Sequence, residues 1–306
     1  MYLPYLRGRQ FELIAVRELV ENGLIGSKVI PVIEPIKPSS TLLKTINLFI
    51  ENEQKIAIIH NPQVGSYNKA LSNLSNTSLK DNLINCFDKE AVIFSHVLNN
   101  NSRAELAGIE QRTEDMLLIL NDTDYITDYL SIFSDEAPGF TLVPDESSFR
   151  RKIRKNRVLF KDRFTKQQRN ADYYDLEDES YSEDHLYYKE DGYVGFSDFS
   201  IVGAEFSESG FAPYAVVIHI VYFDQEKSLR IKHFVSESND DINDPAGKFY
   251  EALEKLIEWQ SEVKLDTLGM KEFEKHYENG TYPGLGTVKK LSIMHHIELM
   301  NKFLEE

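Results

Sequence analysis

An α/β fold of the TIM-barrel kind, carrying an added antiparallel β-hairpin and C-terminal helices, is what this 306-residue sequence predicts. Three observations predict it. Short apolar, β-branched runs recur eight times before residue 203; helix-like stretches separate most of them; and the pattern changes after Gly203. Parallel strands joined by helices keep winding in one direction, and eight of them close into a barrel. An open, doubly wound sheet fits the same rhythm nearly as well.

The elements follow in order. Tyr2–Leu6 reads as a short strand before a turn at Gly8. Between Arg9 and Asn22 apolar residues recur as Phe11, Leu13, Ile14, Val16, Leu19 and Val20, the spacing of a helix with one buried face, and Gly23 stands where such a helix stops. Lys28–Pro35 is a β-branched apolar run closed by proline and suits a strand covered on both faces. Ser39-Ser40 can cap the helix that carries Leu42, Leu43, Ile46, Leu48 and Phe49. Further strands are expected at Lys55–Ile59, Ala91–Phe94, Met116–Leu120, Phe140–Val143, Val158–Phe160 and Tyr193–Val202, with helical stretches including Arg103–Arg112 and Tyr125–Phe133. Beyond Gly203, Tyr214–Phe223 and Leu229–Val235 flank a polar turn and read as a hairpin. Asp244 before Pro245 marks the start of a helix through Trp259, and a last helix is expected over about Thr287–Leu304. The organisation expected is a barrel-like core over 1–203 with a charged loop at 165–192, and a hairpin-and-helix elaboration over 204–306.

With 42% apolar and 11% aromatic residues the chain can bury a sizeable core. Its one cysteine, Cys86, can form no internal disulfide and reads as a buried thiol. No secretory leader is expected at Met1–Arg9, and no apolar run approaches the ~20 residues of a membrane span, so the expected compartment is the cytoplasm, away from membranes. Thirty-four basic against 50 acidic residues give −16, a sign that repels nucleic acid at long range but leaves room for a local basic surface.

Pro4-Tyr5-Leu6-Arg7-Gly8-Arg9-Gln10-Phe11-Glu12 followed by Ile30-Pro31-Val32-Ile33-Glu34-Pro35 resembles the phage-type "beta protein" family of bacterial mobile and phage-defence neighbourhoods. Shorter similar stretches are Asn61–Gly65, Gly195–Gly203 and Ala215–Ile220. The resemblance implies a barrel-like fold and a setting of defence or phage conflict. It brings no catalytic residue set.

In such barrels the working site gathers at the C-terminal ends of the strands. Those ends supply Arg7, Glu34, His60 with Asn61, His96, Asn121 with Asp122, Asp145, Lys161 with Arg163, and Asp198. Glu34, Asp122 and Asp145 could hold a hard divalent cation, His60 could exchange a proton near neutrality, and Lys161 or Arg163 could neutralise a phosphoryl oxygen. Together they would make a metal-dependent phosphodiesterase or nuclease. Polar residues also end strands simply because the chain turns into water there, and Glu34-Pro35 and Asn61-Pro62 fit turn chemistry. No cofactor is otherwise expected. His219, flanked by apolar residues, reads as a hydrogen-bonded core histidine; His295-His296 are wrongly spaced for a shared metal; Gly284–Thr287 lacks the P-loop lysine.

The charge reversal in mid-chain is the sharpest feature. From Arg150 to Arg169 ten Lys or Arg accompany one acid, Asp162; from Asp172 to Asp191 nine acids accompany one lysine, interleaved with Tyr173, Tyr174, Tyr181, Tyr187 and Tyr188. So polar a stretch is expected to form an exposed loop. It can pair with the basic stretch, dock a basic protein partner through its tyrosines, or cover a basic groove in place of nucleic acid. The leading expectation is a protein-binding component of a phage-defence or phage-conflict system whose contact surfaces are the loop Asp172–Asp191 and the hairpin Tyr214–Val235, with Arg7, Arg163, Asp198, Tyr173, Tyr174, Tyr181 and Tyr187 as contacts and nucleic acid a further partner at 150–169.

Overall fold

The computed structural model describes residues 1–109, 111–207 and 213–306. Eight strands form one parallel sheet: β1 (Tyr5–Leu6), β2 (Val32–Ile33), β3 (Ile56–Ile59), β4 (Val92–Val97), β5 (Leu117–Ile119), β6 (Phe140–Val143), β7 (Arg157–Phe160) and β9 (Gly195–Ser197), paired in that order. The last strand returns to the first. Phe196 N donates to Met1 O at 3.0 Å, Leu3 N to Phe196 O at 2.8 Å and Tyr5 N to Asp198 O at 2.8 Å, which brings the sheet round into a barrel. All eight expected strands are present, so the barrel and not the open sheet is the fold. Its core is apolar on both faces of the strands, from Val32, Ile33 and Ala57–Ile59 to Leu117–Ile119 and Leu142–Val143.

The helix Gln10–Glu21 buries Leu13, Ala15, Val16, Leu19 and Val20; of the apolar positions expected on that face, Phe11 is exposed and Ile14 half-buried. It ends in a Schellman motif: Leu24 N donates to Leu19 O at 2.8 Å and Gly23 N to Val20 O at 2.9 Å, with Gly23 left-handed at φ +66°. The helix Ser40–Glu51, capped by Ser39 as expected, ends the same way through Gln54 and Glu53. There Glu53 takes the left-handed conformation, at φ +54°. Helix Ile126–Ile132 matches expectation; over Arg103–Arg112 the helix is only Ser102–Leu106, and Glu110 lies outside the described residues.

The chain divides into two compact units, Met1–Lys161 with Asp184–Phe199, and Asp162–Glu183 with Ser200–Glu306. The second holds β8 (Asp178–Ser182), β10 (Val217–Phe223) and β11 (Leu229–Val235) in an antiparallel sheet of order β10-β11-β8, together with helices Pro245–Val263, Leu268–Glu278 and Leu285–Glu305. The expected hairpin and the Asp244 cap, which accepts from Gly247 N at 2.9 Å, are both there. Helices Leu268–Glu278 and Leu285–Glu305 approach closely at Gly269, where a Cβ would lie 2.3 Å from Leu291 O.

The charged stretch 165–192 is not a loop. It forms a 3-10 turn (Asn170–Tyr174), strand β8 and a short helix (Asp184–Tyr187). Composition alone gives an acidic stretch no strand partner, but β11 is the basic complement. Arg230 bonds Asp178, Lys232 Nζ lies 2.7 Å from Glu177 Oε1, and His233 Nε2 lies 3.2 Å from Glu179 Oε1. Tyr222 adds a hydrogen bond to Asp178. Opposite charges across paired strands offset the lack of apolar surface.

Because Glu53 sits where a side chain crowds the backbone, Glu53→Gly is expected to stabilise the protein by about 0.5–1 kcal/mol, and Gly23→Ala to destabilise it by about 1 kcal/mol. The shift of the urea midpoint measures both.

Candidate functional site

Strand register decides which rim residues can meet. Tyr5 pairs with Val32, Val32 with Ala57 and Ala57 with Ile93, so these share one side of the sheet; Leu6, Ile33, Ile58 and Phe94 share the other. The first side faces the barrel interior, for the Tyr5 ring meets Phe160 at 5.3 Å although β9 lies between their strands. The other side faces the helices: Thr141, in register with Leu118 and through it with His96, bonds Tyr129 of helix Ile126–Ile132 at 3.2 Å.

Glu34 lies on the inner side, fully buried. One carboxylate oxygen accepts from Tyr5 Oη at 2.8 Å and from the Arg7 guanidinium, the other from Gln63 N at 2.7 Å. Burial first, and the adjacent Glu34 carboxylate second, push the Tyr5 phenol well above its ordinary range, so it stays protonated and donates. Arg7 in turn lies 5.2 Å over both the Tyr5 and Phe199 rings. Tyr5, Phe160 and Phe199 meet one another at 4.9–5.3 Å and fill this end of the barrel. A cation bound by Glu34 would have to displace a guanidinium from it.

His60 lies on the opposite, helix-facing side. It stacks on Phe94 at 4.4 Å, and its Nε2 is 2.6 Å from His96 Nδ1. His96 Nε2 lies 2.7 Å from Ser102 Oγ and 3.4 Å from Asn61 Nδ2, an amide nitrogen that can only donate, so Nε2 accepts and His96 Nδ1–H donates to His60 Nε2. Both rings are neutral. Burial lowers His60 to about 4; burial and its neighbour His60 lower His96 to about 3. Asn61 closes the cluster, donating to Val97 O and accepting from Val97 N, each at 2.8 Å.

The remaining candidates belong to other groups. Asp122 is exposed and caps the turn after β5, accepting from Asp124 N at 2.9 Å. Asp145 accepts from Tyr193 Oη at 2.8 Å and pairs with Arg150; partial burial alone would raise its carboxyl, but these two donors hold it below the ordinary range. Lys161 is exposed, and Arg163 is half-buried in the second unit. Asp198 is buried and accepts from Tyr2 Oη at 2.8 Å. Glu34 and His60 thus lie on opposite sides of the sheet, joined through Gln63, Asn61 and His96, while Asp122 and Asp145 belong to other hydrogen-bonded groups. Among the described residues no group of three or more His, Cys, Asp or Glu is placed to hold a metal ion.

Of the tyrosines expected as contacts, Tyr173 and Tyr181 are buried. Tyr173 packs against His219 and His233, each at 4.7 Å, and accepts from Gln167 N at 3.0 Å; Tyr181 donates to Ser200 O at 3.1 Å. Tyr181 is carried inward at the end of β8 and Tyr173 by the 3-10 turn before it, which no exposed loop requires. Tyr174 and Tyr187 are exposed. His219 bonds His233 at 2.7 Å, His295 bonds Thr267 Oγ1 at 2.8 Å and Val221 O at 2.7 Å, and His296 bonds Ser200 Oγ at 3.0 Å, all as packing histidines. Cys86 is buried, and burial raises its thiol to about 12.

Comparison of the chain with family models, with curated proteins and with solved structures finds no match. A groove of about 470 Å³ runs between β11 and helix Pro245–Val263, lined by Tyr174, Glu177, Lys232, Phe234, Lys255, Glu258, Trp259 and Glu262 among others. Its two lysines are already committed: Lys232 to Glu177 at 2.7 Å, and Lys255 to Glu237 at 2.5 Å and to the face of Tyr174 at 5.2 Å. Trp259, half-buried, packs edge-on to Tyr222 at 5.1 Å and beside Phe234 at 5.4 Å. Glu258 and Glu262 are exposed, one helical turn apart, and among the described residues neither is ion-paired. The sequence holds this signal as acids flanking a lone tryptophan, but the groove exists only once β11 and the helix meet.

Two measurements check the site. Glu34→Gln removes the buried carboxylate charge that faces the Arg7 guanidinium and is expected to cost roughly 3 kcal/mol of stability, whereas Asp122→Ala loses only a cap, about 1 kcal/mol. Chemical denaturation separates the two. His60 and His295 titrate at about 4 in the folded protein, against about 6.5 unfolded. The unfolded chain therefore binds protons first as the pH falls. Their contribution is whole above about pH 6.5 and drains away toward pH 4, at up to about 1.4 kcal/mol per pH unit for each. Unfolding free energies that stay level between about pH 6.5 and 4.5 would show that these rings are solvated in the folded protein.

Proposed function

We propose that this chain is a cytoplasmic protein-recognition component of a prokaryotic phage-defence or phage-conflict system, and that the groove between β11 and helix Pro245–Val263 receives a basic segment of its partner. One observation carries the reading. Glu258 and Glu262 stand one helical turn apart beside a half-buried tryptophan, with no cation among the described residues paired to them, while both lysines of the groove are used elsewhere. Like charges at that spacing repel by a few tenths of a kcal/mol on a helix. A lysine or arginine from a partner relieves the repulsion, and the exposed edge of Trp259 and the ring of Tyr174 offer rigid apolar contact beside it.

The placement of Glu34 and His60 on opposite sides of the sheet, with Asp122 and Asp145 in other hydrogen-bonded groups, favours recognition over rim chemistry. The resemblance of the opening segments to beta proteins supplies the setting. No helix among the described residues is long and apolar enough to cross a membrane, which agrees with work in an aqueous compartment.

Affinity capture of the tagged chain from its host, with nuclease present, tests the proposal. A stoichiometric protein is expected that is lost on Trp259→Ala and on the double change Glu258→Lys/Glu262→Lys, with weakening of roughly 30-fold or more for the tryptophan. Glu254→Lys, an exposed change on the same helix, is expected to keep it. Capture that survives both groove variants would refute the groove as the docking site.

A further inference from the structure

The basic half of the charge reversal carries an independent inference. Its ten cations are not equivalent. Arg150 is neutralised by Asp145, Lys166 by Glu205 at 2.7 Å and Arg169 by Asp172 at 2.8 Å. Arg151, Lys152, Arg154 and Lys155 are exposed, and among the described residues none of the four pairs with a carboxylate. In a chain of net charge −16, four cations without acidic partners within five positions form a distinct surface.

The backbone that carries them is fixed at both ends. Phe149 and Ile153 are buried, and Ile153 N donates to Phe149 O at 2.8 Å. Asn156 takes a left-handed turn at φ +53°, donates its side chain to Pro138 O at 2.7 Å and accepts from Thr141 N at 2.8 Å at the start of β7. The helix dipole accounts for Arg151 and Lys152 in the last turn of helix Ser147–Lys152, but Arg154 and Lys155 lie beyond that helix. Charges held on a rigid segment lose little freedom when a ligand meets them.

We infer that Arg151, Lys152, Arg154 and Lys155 form a contact surface for the phosphate backbone of duplex nucleic acid. A duplex presents closely and regularly repeated negative charges, and arginine matches the geometry of a phosphate with two parallel hydrogen bonds. The only aromatic side chain of the helix, Phe149, is buried, so the surface offers no ring on which an unpaired base stacks. Contact is therefore to the backbone, independent of sequence, and stronger for duplex than for single strand.

Fluorescence anisotropy with a labelled duplex across a salt series tests this. Four phosphate contacts give a slope of log K against log salt of about −3.6. The variant Arg151→Gln/Lys152→Gln/Arg154→Gln/Lys155→Gln, all surface changes, is expected to lose that slope and at least about 100-fold in affinity at low salt. Lys166→Gln/Arg169→Gln removes two cations that are already neutralised and is expected to leave the slope unchanged. Absence of duplex binding at about 20 mM salt, an unaltered slope in the fourfold variant, or equal binding of a poly-glutamate peptide would overturn the inference.

Discussion

The barrel depends on a bond between the two ends of a long stretch of chain: β9 must lie between β7 and the residues that open the sequence. Phe196 bonds on both sides of Tyr2, to Met1 and to Leu3, while its neighbours pair with β7. Without that strand, β1 and β7 would each present a row of unpaired backbone groups, and Tyr5 would have no Phe160 across the interior. The burial of Glu34, and with it the hold on Arg7, follows from the same closure. Bringing such distant segments together is entropically slow, so closure is a late event in folding.

Much of this was legible in the amino-acid sequence because it depends on local pattern. Most barrel strands are rich in Val, Ile, Leu or Phe, and a strand buried on both faces needs little that is subtler. Gly23, Ser39 and Asp244 are local signals for helix ends, and all three act as such. What local pattern cannot hold is a partnership between distant segments. Asp178–Ser182 reads as too polar for a strand until Arg230, Lys232 and His233 are set opposite it. Those residues sit some fifty positions downstream, inside a hairpin whose own signal is apolar.

The rim shows a related difficulty. Glu34 and His60 each end a strand, and strand ends gather candidates for chemistry. A shift of one residue, however, turns a side chain from the inside of a sheet to its outside. Register puts Glu34 within the barrel and His60 beneath the helices, where His96 and Ser102 occupy its ring. The groove beside Trp259 was hidden for a different reason. Its walls come from a strand and a helix that no sequence pattern says will meet, and its charge pattern gains meaning only once its lysines are seen to be taken.

The discontinuity of the second unit has a consequence for synthesis. β8 leaves the ribosome roughly 50 residues before β11, which at about 5–20 residues per second leaves it waiting some 2–10 s without a neighbour. An apolar strand left open that long is a template for pairing with other chains. Asp178 and Glu179, with Glu177 just before them, make the waiting edge repel its own copies until the arginine, lysine and histidine of β11 arrive. The charges that disguise this strand in the sequence also disfavour its pairing with copies of itself.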